Sequence, residues 1–271
     1  MQETPFFLDS GGMQLYAVAH DPAGAASGEV FVFCHPLAEE KLWTHRVFVS
    51  YARQLATGGT AVLRVDLRGN GDSDGDFGIC SVESGVADIL SAVAEARRRW
   101  GGARVHLLGL RFGATLAALA AERANDIGRL VLWAPITDGE RYIQELLRTN
   151  LATQTAVFKE VRFDRTELVE QMRLGATVNV DGYAMAYPLY EQATRVKLAA
   201  AKKTHAWPCL VVQIERQPGR PAPDLDQLAA TYTLATRAFA QEEPFWKEIQ
   251  KSYLRDAPNL AAVTTSWLRE C

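Results

Sequence analysis

The sequence contains no run of about 18 apolar residues, the length a membrane-crossing helix needs, so no transmembrane segment is expected. It also lacks a basic excess: 29 Lys and Arg stand against 32 Asp and Glu over 271 residues, for a net charge of −3. A nucleic-acid binder usually shows the opposite balance, so no nucleic-acid partner is expected. Cysteine is scarce. Cys34, Cys80, Cys209 and Cys271 form no CxxC pair and no metal-ligand spacing, which predicts no metal site and suits a reducing cytoplasm. The opening Met1-Gln2-Glu3-Thr4-Pro5 has no basic n-region, so it does not read as a secretory signal. Histidine is scarcer than its number suggests, because none follows His205. What remains, 48% hydrophobic and 23% charged residues, is ordinary globular composition with enough chain for a large core.

Short apolar runs alternate with longer amphipathic stretches, the pattern of βα units around a mostly parallel sheet. Val30-Phe31-Val32-Phe33-Cys34 is dense enough to predict a central strand buried on both faces. Further strands are predicted at residues 61–66, 105–109, 130–134, 209–214 and 231–237, with an antiparallel strand at 13–19 ahead of them. Helices are predicted at 46–56, where Val47, Phe48, Tyr51, Ala52 and Leu55 share a face, at 84–100, and from Pro258 onward. About 70 residues with helical character and no strand separate Pro135 from Pro208, far more than a crossover needs. They predict a helical cap at 139–207 inserted into a core formed by 1–138 and 208–271, over the strand ends where open α/β sheets bind ligands.

The strand at Val105-His106-Leu107-Leu108 runs into Gly109-Leu110-Arg111-Phe112-Gly113 and then an alanine-rich helix. Strand, tight turn with flanking glycines, and helix make up the nucleophile elbow of the α/β-hydrolase fold. Asp66-Leu67-Arg68-Gly69-Asn70-Gly71-Asp72-Ser73 resembles the D-x-R-G-x-G-x-S loop of that superfamily, and His35-Pro36 stands where its oxyanion loop carries His-Gly. The fold expected is therefore an α/β-hydrolase: a mostly parallel central sheet flanked by helices, with a cap insertion. The same Asp66 loop misses the G-x-G-x-x-G dinucleotide spacing by one residue, and read as a calcium loop it has Ser81 where Glu is needed.

The elbow residue is Arg111. A guanidinium stays protonated and has no lone pair for acyl chemistry, whereas Ser, Cys or Asp there would support a covalent intermediate. The acid station falls near Glu215, and the histidine station reads Gln241-Glu242-Glu243-Pro244-Phe245-Trp246. Two of three triad members are missing, and losing Ser or His from a triad costs about a million-fold in turnover. Serine-hydrolase chemistry through this position is not expected.

His35-Pro36-Leu37-Ala38-Glu39-Glu40, the loop 66–77, Gly109-Leu110-Arg111, Val131-Leu132-Trp133-Ala134-Pro135 and Pro244-Phe245-Trp246 together resemble the exosortase A system-associated hydrolases, type 2. The resemblance covers most of the chain and is weakest at 150–205 and 215–230. It implies an elbow that commonly reads G-L-R-x-G, so that Arg111 is a family trait. It also implies a cytoplasmic accessory protein of surface-polymer or protein-sorting loci. Lys41-Leu42-Trp43 departs from the more polar stretch of that family.

Three roles for the centre follow. Arg111 pairs internally with Glu39 or Glu40, since a lone buried charge is costly to desolvate. Alternatively it clamps an anionic small molecule, with His35, Glu39, Glu40, Phe112 and Trp246 around it. In the third reading an ester, thioester or amide hydrolase uses a displaced nucleophile, Ser73, Cys34 or an exposed Cys80, with His35 or His45 as base. Against that, Ser73 normally stabilises its turn and Cys34 is a core thiol. His106 reads as core, and His20 and His205 as loop residues without partners. Trp43, Phe245 and Trp246 line the pocket or fill the core. No cofactor is expected; a protein partner or a second copy of the chain fits the accessory reading.

Overall fold

The computed structural model describes residues 1–124, 126–203, 206–247 and 254–270. The chain begins with β1 (Gln2–Ser10) and β2 (Met13–Asp21), an antiparallel hairpin turned through Gly11 and Gly12 at φ of 62° and 87°. Two consecutive positive φ values give the tight turn whose twist matches the strands. β2 was legible in the sequence and β1 was not. Next come β3 (Glu29–Cys34), α1 (Ala38–Thr57), β4 (Ala61–Val65), α2 (Val82–Arg99), β5 (Arg104–Leu110), α3 (Phe112–Arg123) and β6 (Leu130–Trp133). α1 starts upstream of the expected 46–56, because Glu39 and Glu40 fall in its first turn, where carboxylates offset the helix dipole. Both glutamates therefore sit on a helix beside the sheet edge.

Between β6 and β9 (Cys209–Glu215) the chain forms α4 (Gly139–Phe158), α5 (Arg165–Arg173), β7 (Val178–Val180), β8 (Tyr183–Met185) and α6 (Tyr187–Thr194). The expectation of a strand-free interval is corrected here: β7 and β8 pair as a small hairpin through Asp181-Gly182, too short to show a period in the sequence. α7 (Pro223–Ala229), β10 (Ala235–Gln241) and α8 (Pro258–Glu270) finish the chain. β10 starts later than the expected 231–237, because Thr231 and Tyr232 hydrogen-bond back to Leu228 and Ala229 and so close α7. No helix among the described residues is long and apolar enough to cross a membrane.

Eight of the ten strands form one sheet in the order β1-β2-β4-β3-β5-β6-β9-β10, parallel from β4 to β10 and antiparallel at β1 and β2. Alternate side chains of β3 explain its dense apolar run. Val30, Val32 and Cys34 enter one core with Ile89 of α2 and Leu116 of α3, while Phe31 and Phe33 enter the other with Phe48 of α1 and Trp267 of α8. Four parallel strand ends, from β3, β5, β6 and β9, thus point toward the same edge of the sheet, and the segments that follow them build the site.

Candidate functional site

β5 turns into α3 at Arg111, whose φ of 54° and ψ of −125° are uncommon for any residue with a Cβ. The strain, of order 1–3 kcal/mol, is held by neighbours. The Arg111 amide donates to Trp133 O at 2.9 Å, and its carbonyl accepts from the Ala114 amide at 3.0 Å. The glycines on either side permit the fold-back. A Cβ on Gly109 would stand 2.5 Å from Ala114 Cα, and one on Gly113 would stand 2.3 Å from His35 O.

The raised side chain meets Glu40. Arg111 Nε donates to Glu40 Oε1 at 3.1 Å, and the Tyr142 hydroxyl on α4 donates to the other carboxylate oxygen at 3.3 Å. The guanidinium carbon lies 5.0 Å from the Trp246 ring centre and 5.8 Å from that of Tyr142, within cation–π range. The side chains of Arg111 and Glu40 are 17% and 14% exposed, so the pair is largely desolvated. Burial raises the Glu40 carboxyl above its ordinary range, and Arg111 opposes the shift. The contact uses only the inner nitrogen: Nη1 and Nη2 of Arg111 make no hydrogen bond among the described residues.

Two cavities meet at this arginine. One, of about 670 Å³, runs between the start of α1, α4 and the β7–β8 turn. The other, of about 520 Å³, runs toward the end of β9. Arg111, Tyr142, Glu145 and Trp246 line both and form the divide. Of the residues expected around a ligand, Glu39, Glu40, Arg111 and Trp246 line the first cavity, as does Trp43, and Glu215 lines the second. His35 and Phe112 line neither, which corrects their placement. The His35 carbonyl faces Gly113 of α3, while its ring is buried 4.4 Å from the Phe48 ring of α1. Phe112 is buried and stacks on Tyr142 at 5.2 Å. Tyr142, Glu145 and Asp181 line the first cavity as well and were not among the expected site residues, since none belongs to a motif.

The displaced-nucleophile residues do not assemble. Ser73 Oγ donates to Asp66 O at 2.6 Å and accepts from the Tyr16 amide at 2.8 Å, so it fastens the loop to β2. Cys34 is buried, and burial pushes its thiol far up. Cys80 is buried as well, correcting its expected exposure. Its Sγ donates to Arg68 O at 3.2 Å, and burial pushes the thiol up to about 12. His45 is exposed, with its ring 6.5 Å from that of His35. Phe245 fills the core beside α8. His205 lies outside the described residues.

His20 is on strand β2 rather than in a loop; it is buried and accepts from Arg64 Nε at 2.9 Å. Burial, reinforced by Arg64, lowers it to about 4, and burial with Arg129 lowers His106 to about 3. The unfolded chain then binds these protons near the ordinary value of about 6.5 while the native chain refuses them. The stabilisation is full above that value and is lost as pH falls toward the folded values, at up to about 1.4 kcal/mol per pH unit for each group. Urea denaturation at about pH 7 and pH 5 should show this loss, with a shallower slope for His106→Phe; an unchanged slope would remove His106 from the account.

A family profile described as serine aminopeptidase S33 (Hydrolase_4) matches residues 26–206. No curated protein matches the chain. Among solved structures, Est1E from Butyrivibrio proteoclasticus with ferulic acid bound is similar at a TM-score of 0.68 and 16% identity, covering 98% of each chain. The esterase domain of a Rhodothermus marinus protein is similar at a TM-score of 0.65 and 18% identity, covering 100% of this chain and 99% of that one. Alpha/beta hydrolase domain-containing protein 10 from mouse gives 0.62 and 13%, covering 98% and 99%. At such identities the structural likeness speaks for the fold, which many unrelated activities share. With the profile match it leads to one conclusion: the chain has the α/β-hydrolase fold and belongs to the serine aminopeptidase S33 family.

Proposed function

We propose that this chain is a non-catalytic member of its family, in which Arg111 and Glu40 form an internal ion pair where the nucleophile would stand. The observation that carries this reading is the Arg111 Nε to Glu40 Oε1 contact at 3.1 Å, packed between Trp246 and Tyr142. Residues 139–207 act as a cap on a core of 1–138 and 208–271, since Tyr142 of α4 reaches Glu40 from above the strand ends. Glu215 is then a remnant acid with no base to orient. Trp246, at the old histidine station, has become a packing partner of the cation. The sequence motifs support a cytoplasmic accessory role beside exosortase and surface-polymer systems, with a protein of that system as partner.

The anion-clamp reading has the Nη atoms of Arg111 in its favour. Against it, the carboxylates of Glu39, Glu40, Glu145 and Asp181 line the first cavity, opposed there by Arg111 and Lys247 among the described residues. Four carboxylates against two cations in that lining disfavour an entering anion.

Arg111→Ser is the direct test. No histidine among the described residues lines either cavity at the elbow to take a proton from Ser there, so hydrolysis of simple acyl esters should stay at the uncatalysed background, and a fluorophosphonate should label neither the wild type nor the variant. Substantial turnover or specific labelling of one residue would end the non-catalytic reading.

A further inference from the structure

We propose that the larger cavity binds an organic cation, a primary ammonium or guanidinium group carried on an apolar body. The inference rests on the reading of Arg111 as internally paired and adds the chemical class of what the cleft admits.

The chain itself supplies the first observation. Its own guanidinium, that of Arg111, is seated in the cavity wall against a carboxylate oxygen at 3.1 Å and over the rings of Trp246 at 5.0 Å and Tyr142 at 5.8 Å. Carboxylate plus aromatic faces is the chemistry that recognises organic cations, because the ring quadrupole and the carboxylate attract the same charge. Glu40, Tyr142 and Trp246 also line the cavity.

The cavity continues the same chemistry away from Arg111. Its volume, about 670 Å³, lies within the range of small-molecule sites. Trp43 of α1 lines it, and Leu37, Leu146 and Val180 supply apolar wall for a hydrocarbon body. Glu145 on α4 and Asp181 in the β7–β8 turn bring carboxylates from two further elements. Partial burial raises the Asp181 carboxyl above its ordinary value. Glu40 is paired with Arg111 and Glu145 lies 3.6 Å from Arg141, yet four carboxylates stand against Arg111 and Lys247 among the described lining residues, a balance that favours a cation over an anion.

The test uses three probes with one body and three charges: hexylammonium, hexanoate and hexanol, each titrated into the intact protein with tryptophan fluorescence and calorimetry as readouts. Hexylammonium should bind at least about tenfold more tightly than hexanoate, in the millimolar range or better, and should weaken with added salt. The double variant with Glu145→Gln and Asp181→Asn should lose most of that preference while leaving hexanol unchanged. Glu145 is exposed on α4, and Asn tolerates the φ of 49° at position 181, so folding should be retained and a thermal melt checks it. If hexylammonium shows no saturable binding at about 10 mM, or binds no better than hexanol, the cation site is overturned and the internal pair stands. If hexanoate binds most tightly and Arg111→Met abolishes it, both fail, because Arg111 is then an anion clamp. A Glu145 and Asp181 double variant that keeps the full preference also overturns the site.

Discussion

Gly113→Ala is expected to destabilise the protein by about 4 kcal/mol or more, a loss in the exceptional tail for single substitutions. The added Cβ would lie 2.3 Å from the His35 carbonyl oxygen and 2.4 Å from that of Cys34, well inside any contact a real Cβ makes. Both are backbone atoms at the end of β3, which is paired on one side to β4 and on the other to β5. α3 has no easier retreat, because its first turn hangs from the strained Arg111 and is tied to Ile136 O by Thr115 Oγ1 at 2.7 Å. Neither side can yield without breaking ladder or helix hydrogen bonds. Gly101→Ala serves as the control, since nothing lies within 4 Å of its added Cβ. Urea midpoints at equal slope decide the matter. A Gly113→Ala protein within about 1 kcal/mol of the wild type would mean that strand and helix do not approach this closely.

Arg111→Met should cost about 3 kcal/mol near neutral pH, because it keeps the volume and leaves the Glu40 carboxylate desolvated without its cation. The cost carries its own pH signature. Burial already raises the Glu40 carboxyl, and Arg111 is the first influence opposing that rise, so removing it lifts the group further. A carboxyl whose folded value exceeds its unfolded one contributes stability below the unfolded value, about 4.3, and loses it as pH rises through the folded value. The difference between variant and wild type should therefore be smallest in acid and grow with pH. Taking the difference also cancels the opposite slope from His20 and His106. Adding Glu40→Gln should recover most of the loss, since the amide can still accept from Tyr142 and needs no counter-charge. An Arg111→Met difference that stays flat with pH, or a double variant no better than the single, would show that the two side chains are not coupled.

Much of the architecture was legible because its causes are local. The run at Val30–Cys34 could only be a strand with both faces covered, and Gly109 and Gly113 around Arg111 marked a backbone reversal that a Cβ would block. The errors fell where local signals compete. Thr231 and Tyr232 have strand-like side chains, yet their hydrogen bonds close α7. β7 and β8 span three residues each, less than any periodicity can reveal. Cys80 sits on a loop, but that loop folds under Asn70 and the Arg68 carbonyl. His35 illustrates the limit on site prediction: it does follow the central strand, while its ring packs against Phe48 of α1, a contact that no local pattern announces.

The sequence by itself determined that the chain folds as a mostly parallel sheet with an elbow, that the elbow carries a permanent cation, and that no histidine follows the last strand. Those are properties of residue type and spacing. Only the tertiary structure decided which glutamate answers that cation, that Tyr142 joins from α4, and that an open, carboxylate-lined cavity remains beside them. Glu40 is 71 positions from Arg111 in the chain and Tyr142 is 102 positions from Glu40. Their meeting depends on the order of strands in the sheet and on the path of the segment between β6 and β9, and no local pattern encodes either.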